Sequence, residues 1–302
     1  RNIYDLTIKE LEDYFISINE KKFRAVQVYE ALYKRRIKSF DDMTNISKEV
    51  REKLKQDFSF YKIKMLIKQQ GKNVNKYLFE LEDGNKIESV LMFHDYGTSI
   101  CVSSQVGCNM TCAFCESGRL KKVRNLLAYE IVQQILQIEE DINKRITHVV
   151  LMGIGEPFDN YDNVLRFVKI INCGKGIDIG SRHITISTCG VIPGIKKFMN
   201  EEGQVNLAIS LHAPNDEIRN RIMPINKAYP LNELMETIKE YINKTNRRVT
   251  FEYIMLDNVN DSEENAKELA LLLKGINCYV NLIPYNETEN IEFKRTKEWK
   301  IF

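Results

Sequence analysis

Cys101-Val-Ser-Ser-Gln-Val-Gly-Cys108-Asn-Met-Thr-Cys112-Ala-Phe-Cys115 holds four of the chain's seven cysteines, and the last three form a C-x3-C-x2-C triplet following an expected strand. That spacing lets three thiolates from one loop converge on one inorganic centre. Iron-sulfur clusters are held by Cys thiolates, commonly four of them, so three suggest a 4Fe-4S cubane with one iron left without a protein ligand. Structural zinc is the plainer alternative, with Cys101 or His94 completing a tetrahedron; buried or redox thiols are a third. Zinc motifs usually pair two CxxC-like halves, and here only Cys112 to Cys115 forms one.

Outward from this stretch, composition sets the bounds. At 302 residues, 43% hydrophobic and 28% charged, the chain can bury a large core and hold a barrel plus a small appendage. No run approaches the length of a membrane helix and no signal peptide opens the chain, so the expectation is a soluble protein of the cytoplasm. Seven unevenly spaced cysteines do not read as a disulfide framework. The net charge of +2 does not announce a nucleic-acid partner, so any RNA site must be local.

Residues 1–60 read as short helices: Thr7-x-x-Glu10 is a capping-box pattern, Phe23, Val26, Tyr29, Ala31 and Tyr33 make an apolar stripe, and Ser47 is positioned to cap a third helix. Lys21, Lys22, Arg24, Lys34, Arg35, Arg36 and Lys38 are candidates for RNA phosphates or form a solvated surface. From 61 to 96 the period becomes two: Ile63, Met65 and Ile67 alternate with lysines, and Asp83-Gly84 signals a hairpin turn. The five lysines between Phe60 and Phe79 suit a protected edge strand as readily as an RNA contact.

After Gly97 strands are expected at 99–103, 147–152, 183–187, 205–211, 248–256 and 279–284, with helices between them. The clearest helical stripes are Leu231, Leu234, Met235, Ile238, Tyr241 and Ile242, and then Ala266, Leu269, Ala270 and Leu273 behind Asp261 and Ser262. Alternation of this kind predicts an α/β fold with parallel strands and helical crossovers. Ligand sites of such folds gather at the carboxyl ends of strands, and there lie the triplet, Gly155-Glu156, Ser187, Ser210 through His212, and Asn286. Each signal has an ordinary alternative: Gly153-x-Gly155 lacks the third glycine of a dinucleotide loop and suits a turn, while a lone His212 is commonly a hydrogen-bonded structural residue.

These residues carry a resemblance. With Phe114 before its third Cys, the triplet resembles the radical S-adenosylmethionine (SAM) signature. The longer string from Cys101 is similar to that of the rRNA and tRNA adenine C2-methyltransferases (RlmN) and their C8-methylating relatives (Cfr). Gly153–Pro157, Ser187–Pro193, Leu207–Asp216, Arg248–Leu256 and Asn281–Pro284 continue the likeness in order. It implies a partial (β/α)6 radical SAM barrel over 97–302, a helical RNA-facing domain over 1–60 and a β-hairpin linker over 61–96. It also implies a 4Fe-4S cluster on Cys108, Cys112 and Cys115, with S-adenosyl-L-methionine contacted by Gly155, Glu156, Ser187, Ser210, Leu211, His212 and Asn286.

The implied reaction places a methyl group on C2 of an adenine in 23S rRNA, at the peptidyl-transferase centre, and in tRNA beside the anticodon. That carbon is electron-poor and has no acidic proton, so a radical route is needed. In the family the methyl rides first on a cysteine and a covalent RNA adduct is then formed. Cys101 matches the residue that resolves the adduct by forming a disulfide, and Glu88 the acceptor of the C2 proton. Taken without the likeness, Cys101 is a buried strand thiol and Glu88 a surface carboxylate. A flavodoxin or ferredoxin as electron donor and a monomeric state complete the expectation.

The chain departs from the family in two places. No residue matches the methyl-carrying Cys, which is expected beyond residue 302; both ends read as trimmed, and residues 1–302 are expected to bind cluster and SAM without completing methylation. Glu116-Ser-Gly-Arg-Leu-Lys-Lys-Val-Arg124 carries more charge than usual, and Arg119, Lys121, Lys122 and Arg124 are candidates for phosphate. The rivals are a Cfr-like C8 methyltransferase and a non-enzymatic zinc-stapled RNA-binding module.

Overall fold

The computed structural model describes residues 1–201 and 203–301. Two compact units make up the chain, one of 1–104, 126–153 and 160–184, the other of 105–125, 154–159 and 185 onward. Among the described residues no helix is long and apolar enough to cross a membrane.

The first unit begins with α1 (Ile8–Ser17), α2 (Arg24–Tyr33) and α3 (Lys48–Asp57). The expected capping box is formed: Glu10 N donates to Thr7 Oγ1 at 3.3 Å and Thr7 N to Glu10 Oε2 at 2.9 Å, which satisfies two donors the helix start leaves over. Ser47 caps α3 through Val50 N. The stripe of α2 differs from expectation. Val28 and Leu32 are buried with Tyr29, Ala31 and Tyr33, whereas Phe23 precedes the helix and is 50% exposed, lying under the Arg24 guanidinium.

β1 (Lys64–Gln70), β2 (Val74–Glu80), β3 (Lys86–His94) and β4 (Gly97–Cys101) form an antiparallel meander, and β5 (His148–Leu151) lies parallel to β4. The hairpin turn falls at Asp83-Gly84, where Gly84 has φ +81°, an angle glycine adopts without penalty. In β1 the register shifts between Met65 and Ile67, so one extra residue reverses the facing of the rest of the strand. Ile63 is therefore buried while Ile67 is 51% exposed, against the simple alternation. α4 (Ala128–Ile142) and α5 (Tyr161–Asn172) complete this unit.

In the second unit β6 (Ile184–Thr188), β7 (Asn206–Ser210), β8 (Val249–Met255) and β9 (Cys278–Pro284) are parallel neighbours in that order. Together with β4 and β5, they are the six strands expected from sequence. The helices are α6 (Ile192–Phe198), α7 (Asp216–Ile222), α8 (Leu231–Thr245) and α9 (Glu263–Leu272). α8 buries Leu231, Leu234, Met235, Ile238 and Tyr241, as its period demands. α9 is capped by Ser262 as expected but buries no residue, and Ala266 and Ala270 are exposed. Period decides which residues share a face; burial needs a second layer against that face.

Gln134 of α4 fixes the chain just past β4. Its Oε1 accepts from Ser103 N at 2.9 Å and Ser89 Oγ at 2.7 Å, and its Nε2 donates to Ser103 O at 3.0 Å, all buried. Gln134→Leu removes three such bonds, and at roughly 0.5–1.5 kcal/mol each the expected loss is about 2–4 kcal/mol. Urea unfolding measures it; an unchanged midpoint at an unchanged slope would contradict the account.

Candidate functional site

Within the second unit the cysteine loop 105–125 and the turn 154–159 belong with the carboxyl ends of β6, β7 and β8. Gln105–Val106 pairs antiparallel with Arg124–Asn125 and closes the loop. Closure depends on Gly107, at φ +73°, because a Cβ there would stand 2.1 Å from the Lys121 carbonyl oxygen. Cys108 N donates across the same gap to Leu120 O at 2.8 Å, and Cys115 N to Cys112 O at 3.1 Å makes the turn between the last two thiols. Cys108 is buried, Cys112 and Cys115 are half-buried, and all three are free. Burial pushes the Cys108 thiol up and that of Cys112 up to about 12, with the neighbouring cysteines adding to both. A thiol in such a place gives up its proton on binding a metal that replaces it.

Among the described residues no three His, Cys, Asp or Glu side chains stand close enough to clasp a single ion. Three thiols from one closed loop are the donor set of a 4Fe-4S cluster that has one iron left without a protein ligand. The residues present fit the cluster.

Glu156 is the buried acid of the site, 3% exposed. Its Oε1 accepts from Phe158 N at 3.0 Å, its Oε2 from Cys189 N at 2.8 Å, and its own N–H donates to Gln105 Oε1 at 2.9 Å. Burial pushes this carboxyl above its ordinary range while those N–H groups pull the other way. Gly155 before it has φ +109°, and a Cβ there would lie 2.6 Å from Gln105 Cβ. Glycine is required at that point because the Gln105 strand passes directly over it.

His212 comes just after β7, in the left-handed region at φ +58°. Its Nδ1 accepts from Ile254 N at 3.0 Å, and its carbonyl accepts from Asn260 Nδ2 at 2.8 Å. Acceptance at Nδ1 places the ring hydrogen on Nε2. Burial first, and then the Arg219 charge, drive its pKa down to about 3, so the ring is neutral. Phe114 of the cysteine loop meets it edge to face, 4.9 Å between ring centres.

Several residues assigned no role from sequence organise this unit. Arg219 is completely buried and donates to the carbonyls of Cys189, Ser210 and Leu211 and to Asn226 Oδ1. Gln105 and Asn260 are buried scaffolding of the same kind. In sequence Arg219 looks like one more charge on a short polar helix; nothing local signals its burial.

Ser187 is buried near the end of β6, Ser210 is half-buried and Leu211 fully buried. Asn286 is exposed, one residue after Tyr285, which packs in the apolar cluster that Cys112 and Phe114 touch. Glu88 and Cys101 belong to the first unit, where β3 and β4 pair Val90 with Cys101, so Glu88 and Cys101 share a face. Glu88 faces solvent and pairs with Lys76 at 2.8 Å. Burial of its sulfur pushes the Cys101 thiol up to about 11, and all seven cysteines of the chain are free.

The candidate phosphate cations are largely engaged by the chain itself. Lys22 pairs with Glu12 at 3.0 Å, Lys34 with Glu30 at 3.3 Å, Arg36 with Glu139 and Lys38 with Glu140. In the loop Lys122 faces Asp159 at 3.7 Å and Arg119 donates to Asn290 O at 3.2 Å.

Glu156 uses both oxygens to accept, whereas glutamine has one acceptor. Glu156→Gln thus leaves one backbone N–H facing an amide N–H and is expected to cost about 1–3 kcal/mol. Equilibrium unfolding at neutral pH reads the loss, and wild-type stability in the variant would refute the two-acceptor role.

The family model described as the radical SAM superfamily matches residues 102–270, and that described as the ribosomal RNA large subunit methyltransferase N-terminal domain matches residues 1–59. The chain is 54% identical over 306 residues to a protein of Spiroplasma citri named probable dual-specificity RNA methyltransferase RlmN, spanning 100% of this chain and 89% of that protein. A protein of the same name from Geobacillus kaustophilus (strain HTA426) is 52% identical over 307 residues, spanning 100% and 84%. The crystal structure of a radical SAM methyltransferase from Sphaerobacter thermophilus superposes with a TM-score of 0.93 at 40% identity, over 99% of this chain and 89% of that one. The fold is thus the α/β radical SAM fold, and the chain belongs to the RlmN family of radical SAM proteins.

Proposed function

We propose that this protein methylates C2 of an adenine in 23S rRNA and in tRNA, using a 4Fe-4S cluster held by Cys108, Cys112 and Cys115 together with S-adenosyl-L-methionine. The observation that carries the proposal is that one unit brings together a closed three-thiol loop, a buried carboxylate and a neutral imidazole. The names of relatives at 52% and 54% identity support RNA as the substrate. With SAM bound, the cluster would supply the radical chemistry that an electron-poor ring carbon calls for.

The protein's own residues bind and orient. Glu156, whose two oxygens accept from backbone N–H groups, is a partner for the methionyl ammonium of SAM. Gly155 leaves the backbone bare there, and His212 offers an Nε2–H donor whose neutrality spares that ammonium a like charge. Ser187, Ser210, Leu211 and Asn286 supply the remaining contacts at strand ends.

Glu88, open to solvent beside Lys76, can take a proton and pass it to water. Cys101 enters as a thiol at neutral pH, so its proton leaves as its sulfur bonds to the methyl-carrying cysteine sulfur of the adduct, whose sulfur–carbon bond breaks with the electron pair passing to the RNA base. Residues 1–60 face RNA, 61–96 link, and the barrel begins at 97. A flavodoxin or ferredoxin donor, a monomeric state and a cytoplasmic site fit this chemistry.

Anaerobic purification and metal analysis test the proposal: about four irons per chain with matching sulfide are expected, and zinc without sulfide would overturn it. For the position of the methyl group, protein expressed from its full natural reading frame is incubated with RNA and the product mapped by mass spectrometry. C2 is expected; C8 would reassign the enzyme.

A further inference from the structure

Arg219 stands on α7, a helix of two turns that reaches both halves of the proposed cofactor site. At its end Ile222 O accepts from Ala113 N of the cysteine loop at 2.9 Å. From its middle the Arg219 guanidinium binds Cys189 O at 2.7 Å, beyond β6, and Ser210 O and Leu211 O at 3.1 Å each, at the end of β7. Its fourth acceptor, Asn226 Oδ1 at 2.7 Å, is oriented in turn by Asp216, whose Oδ1 accepts from Asn226 Nδ2 at 2.6 Å. Among the described residues no carboxylate bonds to the guanidinium directly. The strand ends so clamped carry Ser210, Leu211 and His212.

A fully buried charge without a paired acid is expensive unless its surroundings use it. Burial works against this charge, three carbonyl dipoles solvate it, and the same helix holds Ala113, the residue after Cys112, through Ile222 O. Cys112 is a proposed cluster ligand. Iron-sulfur potentials depend on net charge and hydrogen bonding around the cluster. A fixed cation favours the reduced, more negative form.

We infer that Arg219 is a positioning residue with two effects: its fork sets the spacing of the β6 and β7 ends that receive SAM, and its charge raises the reduction potential of the cluster beside Cys112. The inference rests on the proposed function above. The two effects separate because lysine keeps the charge and loses the planar fork, while methionine loses both.

The test uses anaerobically reconstituted protein, with the potential from dithionite titration monitored by electron paramagnetic resonance and the SAM affinity from equilibrium dialysis. Arg219→Met is expected to shift the reduction equilibrium about tenfold towards the oxidised cluster, about 59 mV for one electron, and to weaken SAM about tenfold, the scale of one lost charged hydrogen bond. Arg219→Lys is expected to keep the potential and still weaken SAM. Asn226→Ala, which deletes one acceptor and leaves the charge, is expected to weaken SAM by about threefold or more at unchanged potential, and it decides the matter should both Arg219 variants fail to fold. Variants that load iron yet match wild type in both readouts overturn the inference, as does unchanged SAM affinity in Asn226→Ala. A wild-type protein that holds no iron sinks the proposed function instead.

Discussion

Parallel strands end in carbonyl groups that the sheet no longer pairs, and a site built there must satisfy them without filling the space a ligand needs. In the second unit one guanidinium meets that constraint. Arg219 collects the carbonyls of Cys189, Ser210 and Leu211 from behind, and Asn260 takes those of His212 and Ile254. Those carbonyls are satisfied by buried polar side chains rooted in the core.

The same economy shapes the electrostatics. Glu156 and His212 are both buried, and each accepts from backbone N–H groups: two on the carboxylate, one on imidazole Nδ1. Main-chain dipoles of this kind are oriented by the fold itself. Glycine does the complementary work at Gly107 and Gly155, where any Cβ would collide with a crossing segment.

Much of the fold was legible because periodicity is local. All six expected strands occur with small shifts in their ends, and Thr7, Ser47 and Ser262 cap helices as their neighbours suggested. Errors came where a local pattern meets a non-local condition. The bulge after Met65 exposes Ile67, α2 buries Val28 and Leu32 while Phe23 is left half out, and the stripe of α9 finds no second layer.

Sequence by itself determined the chemistry on offer: three cysteines spaced for one loop, a Gly-Glu pair after a strand, and blocks in an order that carries the family likeness. Those features are covalent spacings, which the chain holds before it folds. Tertiary structure alone decided that Glu156 accepts from the distant Cys189 N–H, that His212 is neutral, and that Arg219, inconspicuous on its short helix, lies fully buried among strand-end carbonyls. Burial and charge state depend on what packs against a residue from far along the chain, and no window of neighbours contains that information.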